Sequence, residues 1–477
     1  MKEKITGSFD DWVGQTQRTK LELNKLSPTM CMAKWLWTSI HLTNGLTNSC
    51  FLCPVHKINP EGIIDNPSLL HNTPEKKEQR KMMKAGERPD GCSYCWNIED
   101  MGEDYLSDRH YRSSEPWALE GWDEVVKNSF DYDITPRYVE INFNHACNLA
   151  CSYCSPHLSS KWAEDIEKHG SYPTLTPHNS IDYFKKIGHY PILNREHNPY
   201  VEAFWKWWPE LYPKLKEFRM TGGEPLMDKN TIKVLNYVLD HPRPDLQMAV
   251  TTNASVPDKN WERFINPVST IISNNMLKWF RLYVSLDTWG EQAEYIRDGL
   301  DFNKAWNNVH DFLNKVPQNG LVCFIVTFNI LSLPNLKKLF EGILELQKKY
   351  NHLCNSNRIF FDTPMLRFPT WQSLQLAPES FWHYADECLE YMKQNKYNKD
   401  TFIGFKRHQI DRFQRSVNWM KQDMEELTLL NSKENFYRFF SEYDKRRDIN
   451  FLETFPEFTD FWEECRTEYI QNGGKLQ

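Results

Sequence analysis

The chain has 477 residues, 40% of them hydrophobic and 14% aromatic, which is enough for two or three cored domains and excludes global disorder. Its net charge is −7 and its pI about 6.1, with acidic residues interleaved among the basic ones, a balance that argues against a nucleic-acid binder. No apolar h-region follows Met1, and no run reaches the roughly 18 apolar residues of a membrane span. Twelve cysteines in such a chain point to a reducing cytoplasm and to metal ligation in place of disulfides.

Residues 1–25 are polar and read as a loose lead. Residues 26–130 form a cysteine-rich segment that carries Cys31, Cys50, Cys53, Cys92 and Cys95. Cys92 and Cys95 sit in RPDGCSYCWNIED, where Pro89 and Gly91 mark a tight turn ahead of a helix. Cys50 and Cys53, in TNSCFLCPVH, make a second Cys-x2-Cys pair. Two such pairs can close a four-thiolate zinc site, and Cys31 supplies a fifth thiol. Between the pairs, a charged, turn-rich stretch contains a short helix over residues 75–85.

Residues 131–364 carry the most specific signal. Tyr138, Val139, Ile141 and Phe143 read as a buried strand, and the loop that leaves it holds Cys147, Cys151 and Cys154 in HACNLACSYC. A Cys-x3-Cys-x2-Cys spacing is too tight for a disulfide framework, and a zinc site would want a fourth ligand close by. Three thiolates can hold three irons of a [4Fe–4S] cluster and leave the fourth open for a substrate. Downstream, the strand KEFRMT runs into Gly222-Gly223-Glu224-Pro225, where two glycines let the backbone approach a ligand closely. Further strands over 247–252, 280–286, 321–328 and 358–362 alternate with helices over 230–239, 303–315 and 335–350. That alternation predicts a parallel α/β sheet with ligands at the C-terminal strand ends, where Asn253, Ser285 and Asp287 stand. An aromatic stripe (Phe204, Trp205, Trp207, Trp208, Tyr212) lies between the cysteine loop and the glycine loop; it reads as core, or else as a cover for a substrate pocket.

The cysteine trio, the GGEP loop and the ordered polar strand ends together resemble the radical S-adenosylmethionine (SAM) enzymes over about residues 137–364. The resemblance implies a partial (β/α)6 TIM-like barrel and a [4Fe–4S] cluster on Cys147, Cys151 and Cys154. It further implies that Gly222, Gly223, Glu224 and Pro225 grip the SAM amino group. Asn253 and Ser285 would meet its ribose or carboxylate, Arg297 its carboxylate, and Tyr153 its adenine. The set Cys31, Cys50, Cys92 and Cys95 resembles the twitch module, a relative of the SPASM module that holds one auxiliary [4Fe–4S] cluster. Cys53 is then the spare thiol, able to displace Cys31. The module ordinarily follows the barrel, whereas here its cysteines precede it.

Residues 365–477 turn helical and aromatic, with Phe436, Phe439, Phe440 and Tyr443 on one helical face and Lys445, Arg446 and Arg447 as a solvated basic run. Cys323, Cys354, Cys388 and Cys465 read as core. The function implied is an oxidoreductase-type enzyme. It would cleave SAM to a 5′-deoxyadenosyl radical and oxidise or crosslink a peptide or protein side chain, with an electron donor such as flavodoxin or ferredoxin. Dehydrogenation of a sugar or other small alcohol is the alternative. A zinc-holding structural protein without turnover is the rival of another class.

Overall fold

The computed structural model describes residues 9–193, 195–354 and 356–474. In chain order its strands are β1 Trp37–His41, β2 Leu46–Asn48, β3 His56–Lys57, β4 Tyr138–Asn142, β5 Ala150–Cys151 and β6 Glu217–Thr221. They continue with β7 Arg243–Thr252, β8 Leu277–Ser285, β9 Arg297–Asp298, β10 Gly320–Ile325 and β11 Ile359–Asp362. By packing density the chain divides into two compact units. The first comprises residues 1–144, 191–222 and 243–249; the second comprises 145–190, 223–242 and 250–477.

In the first unit the strand order is β7–β6–β4–β1–β2–β3. β1 runs parallel to β4 and β4 parallel to β6, while the short hairpins β1–β2 and β2–β3 are antiparallel. The helix Pro74–Ala85 starts where the Thr73 hydroxyl accepts from the Lys76 N–H, with Pro74 in the first turn. It ends at Gly86, which is in the left-handed region at φ 84°. The aromatic stripe forms the helix Pro199–Leu211, and Phe204, Trp207 and Trp208 are at most 1% exposed. The stripe is therefore core. The segment read as a loose lead instead forms a helix from Phe9 to Leu26, because Leu23 finds a buried place with Met30, Trp35 and Trp96.

In the second unit β11, β10 and β8 pair in parallel, with Ser285 opposite Ile325 and Ile325 opposite Asp362. The strands are separated in sequence by the helices Lys229–Asp240, Asp258–Ser273, Phe302–Lys315 and Leu336–Cys354, as the alternation predicts. After β11 the chain is helical. Phe436, Phe439, Phe440 and Tyr443 lie on the helix Glu426–Arg447 and are fully buried, each contributing roughly 2–3 kcal/mol. Cys323, Cys388 and Cys465 are buried as expected, whereas the Cys354 side chain lies outside the described residues. The basic run is not solvated throughout. Arg446 is ion-paired with Asp165 and Glu442 at a side-chain exposure of 2%, and Arg447 is paired with Asp298. Among the described residues no helix is long and apolar enough to cross a membrane.

Candidate active site

The three cysteines follow β4, with Cys151 in β5, and hydrogen bonds with the helix Ser160–His169 and with Asn179 brace the segment. The Cys147 N–H donates to Ser160 Oγ at 3.1 Å, Trp162 Nε1 donates to the Cys151 carbonyl at 2.8 Å, and Asn179 donates to the Cys154 carbonyl at 2.9 Å. Ser152, fully buried, donates to Gln372 Oε1 at 2.7 Å. Burial pushes the thiols of Cys147 and Cys151 upward and that of Cys154 to about 12. Without a metal these sulfurs keep their protons, so binding iron must release them.

The glycine loop packs directly on this one. A Cβ at Gly223 would stand 2.4 Å from the Ala146 carbonyl oxygen and 2.6 Å from the His145 carbonyl carbon, so only glycine fits. Gly222 adopts φ +134°, a conformation side chains resist. The Glu224 N–H then donates to the Ala146 carbonyl at 2.7 Å. Glu224 is 1% exposed and accepts from the Leu226 N–H, the Thr252 hydroxyl and the Asn253 N–H at 3.0, 2.7 and 2.8 Å. Burial nonetheless lifts its carboxyl to about 7. Both carboxylate oxygens are thus engaged within the protein, and Glu224 fastens the loop to the end of β7. Pro225 opens the short turn that follows.

Two of the other expected SAM contacts, Arg297 and Tyr153, meet at a residue the sequence reading left unassigned, Asp287. Fully buried, it accepts from Arg297 Nη2 at 2.8 Å, from the Tyr153 hydroxyl at 2.7 Å and from the Thr327 N–H at 2.9 Å. Antiparallel pairing of β5 with β9 sets Arg297 opposite Cys151, and Nη1 comes within 3.7 Å of the Cys151 sulfur. Arg297 Nε is buried with no hydrogen-bond partner among the described residues. Asn253 uses its amide on Asn148 Oδ1 and the Ser255 N–H, at 2.9 and 2.8 Å, and so ties the strand end to the cysteine loop. Ser285 closes β8 beside Ile325. Asp287 is foreshadowed only as one more polar strand end, and Gln372 has no local signal because its partner lies 220 residues earlier.

The front cysteines form a second thiol site, in the first unit. Cys31, Cys50, Cys53, Cys92 and Cys95 all line one cavity, with Lys34, Arg109 and Arg112. Cys53 is not peripheral: its sulfur lies 3.6 Å from that of Cys50, 3.8 Å from that of Cys92 and 3.6 Å from Lys34 Nζ. Hydrogen bonds from the two thiols and the nearby ammonium make Cys53 the thiol that ionises most readily, while Cys50 and Cys92 are pushed up. Among the described residues no three His, Cys, Asp or Glu side chains converge as a single metal ion requires.

Residues 141–346 match the model of the Radical SAM superfamily. The chain is 25% identical to a GTP 3′,8-cyclase of Sulfurimonas denitrificans over 219 residues, 46% of this chain and 54% of the cyclase. It is 26% identical to a 7-carboxy-7-deazaguanine synthase of Clostridium acetobutylicum over 267 residues, 55% of this chain and 82% of the synthase. Among solved structures, SuiB of Streptococcus suis aligns with 75% of this chain and 68% of its own, at 12% identity and a TM-score of 0.34. The chain spans about half the length of the first of these relatives. Members of this superfamily are enzymes that use a [4Fe–4S] cluster and SAM. The three-thiol loop, the glycine seat that a Cβ would fill and the orphaned Arg297 nitrogen fit both groups. Residues 141–346 are a Radical SAM superfamily domain, and its cofactors are a [4Fe–4S] cluster and SAM.

Proposed function

We propose that Cys147, Cys151 and Cys154 hold the cluster and that SAM lies against Gly222, Gly223, Glu224, Pro225, Tyr153, Asn253, Ser285 and Arg297. The observation that carries this reading is the close packing of the glycine loop on the cysteine loop, with Gly223 against the Ala146 carbonyl. In this reading the strands belong to a partial (β/α)6 barrel that covers residues 131–364. The cysteine-rich segment, residues 26–130, is a twitch-like module placed before it.

When bound, the two cofactors supply reductive cleavage of SAM to a 5′-deoxyadenosyl radical that takes a hydrogen atom from the substrate. The protein supplies position and shelter. Glu224, Thr252 and Asn253 lock the glycine loop. Asp287 fixes Arg297 and Tyr153, so that Arg297 Nε is presented without rearrangement. Bracing from Ser160, Trp162 and Asn179 keeps the cysteine loop rigid.

The front thiols support an auxiliary iron–sulfur site that accepts a second electron. The substrate then loses one hydrogen atom, one electron and one proton, a net two-electron oxidation. A peptide or protein side chain is the proposed substrate, on the likeness of the front cysteines to the twitch module. Two of the relatives, the GTP 3′,8-cyclase and the 7-carboxy-7-deazaguanine synthase, are named for small molecules, and that favours a second reading, oxidation of a small alcohol. The test is release of 5′-deoxyadenosine by anaerobic, reduced protein. Cys147→Ala is expected to abolish it, whereas Cys92→Ala retains cleavage but loses substrate oxidation. Normal turnover by the Cys92 variant would remove the auxiliary role.

A further inference from the structure

Three basic side chains are buried beside the front thiol site, and burial pulls Lys76 well below its ordinary value. Lys34, Lys76 and Arg80 are 1%, 0% and 0% exposed. Lysine and arginine are almost never fully buried without an anionic partner. Yet Lys76 Nζ donates to the hydroxyls of Thr38 and Thr47 at 2.8 and 2.9 Å. Arg80 donates to the Lys34 carbonyl and to Asn72 Oδ1 at 3.1 and 3.0 Å, and lies against His71, an imidazole that burial and the two cations keep neutral. Lys34 donates to Gln79 Oε1 at 2.7 Å, and its other close partner is the Cys53 sulfur at 3.6 Å. None of these acceptors is a carboxylate.

The other cations at the cavity are already neutralised. Arg109 is held by both oxygens of Glu99 at 2.7 and 2.8 Å, and Arg112 lies 3.9 Å from Asp108 and 3.5 Å from Glu115. The groups beside Lys34 in the cavity that can carry negative charge are sulfurs: Cys53 lies 3.6 Å from its Nζ, and Cys31, Cys50 and Cys92 line the same cavity. Of the three buried basic side chains, Lys34 lines the cavity, where an anionic metal–thiolate group would neutralise it.

We propose that Lys34 is the counter-charge of the front site: it selects Cys53 as a metal-bound thiolate and, by donating to that sulfur, raises the reduction potential of the iron–sulfur group held there. This rests on the iron–sulfur reading of the front site given above, and it promotes Cys53 from spare thiol to ligand. A nearby cation and a hydrogen bond to sulfur stabilise the more negative, reduced state, which suits a group that accepts an electron.

The experiment uses the full chain with Cys147, Cys151 and Cys154 all replaced by alanine, so that the remaining signal comes from the front site. The parent is reconstituted without oxygen, its iron and sulfide are counted, and its midpoint potential is measured by redox titration followed by electron paramagnetic resonance. About four irons per chain are expected. Lys34→Met is expected to keep its iron and move the midpoint to more negative values, while Lys34→Arg stays near the parent. A Lys34→Met midpoint equal to the parent's overturns the proposal. Should Lys34→Met fail to fold or lose its iron, Lys34→Arg decides: full iron supports a counter-charge and lost iron overturns it. A parent that takes up no iron overturns the iron–sulfur reading itself, and the proposal with it, before Lys34 is altered.

Discussion

At Glu224 the geometry and the charge state pull against each other. The carboxyl accepts three hydrogen bonds, yet burial raises it to about 7 from its ordinary 4.5. The folded chain therefore holds this proton in a window where the unfolded chain has lost it. Its contribution to stability falls as pH rises from 4.5 to about 7 and stays lost above that. Thermal melts of the metal-free chain should show Glu224→Gln with a shallower decline across that window than the parent; parallel curves would refute the assignment. Gly223→Ala tests the loop seat. The new Cβ would meet backbone atoms at 2.4 and 2.6 Å that cannot swing aside, so the glycine loop must lift from the cysteine loop. The expected outcome is loss of most SAM cleavage with lower cluster occupancy, read as 5′-deoxyadenosine released and iron per chain. These residues were legible in the sequence because their spacing is local. Asp287 was not, since its role appears only when Arg297, Tyr153 and Thr327 converge on it from three segments.

At the scale of elements, β9 is the piece that brings Arg297 to Cys151, and it is only two residues long. It is held from outside by the helix Glu426–Arg447: Arg447 donates to Asp298 at 2.8 Å and to the Tyr172 hydroxyl at 2.8 Å, and the Tyr443 hydroxyl donates to the Tyr295 carbonyl at 3.0 Å. Replacing Arg447 with Met should cost about 2 kcal/mol, as expected for hydrogen bonds from a buried charge. Denaturant unfolding reads that loss, and SAM cleavage should fall along with it as Arg297 loosens. An unchanged unfolding midpoint would show that the pairs contribute nothing. Periodicity located this helix and its aromatic face. It could not show that the basic run at its end is drawn inward, because the partners Asp165 and Asp298 are far away in sequence. For the same reason the segment read as a loose lead conceals a helix: its apolar residues are sparse, and it is the front core that gives Leu23 a place.

At the scale of the whole molecule the chain carries two thiol sites built on different physics. The Cys147 loop has its sulfurs braced through backbone hydrogen bonds, beside the paired Arg297. The front site gathers five thiols around the buried Lys34. Both were visible as cysteine spacings. The closeness of Cys53 to Cys92 and Lys34 was not, because it arises from packing between distant segments. The division into compact units was equally hidden, since residues 191–222 and 243–249 join the front of the chain through tertiary contacts. The most direct measurement is an iron and sulfide count on the anaerobically reconstituted chain, with 5′-deoxyadenosine assayed after reduction. The account predicts about eight irons per chain and release of 5′-deoxyadenosine. About four irons with cleavage would refute the front cluster, and no iron with no cleavage would contradict the account at its centre.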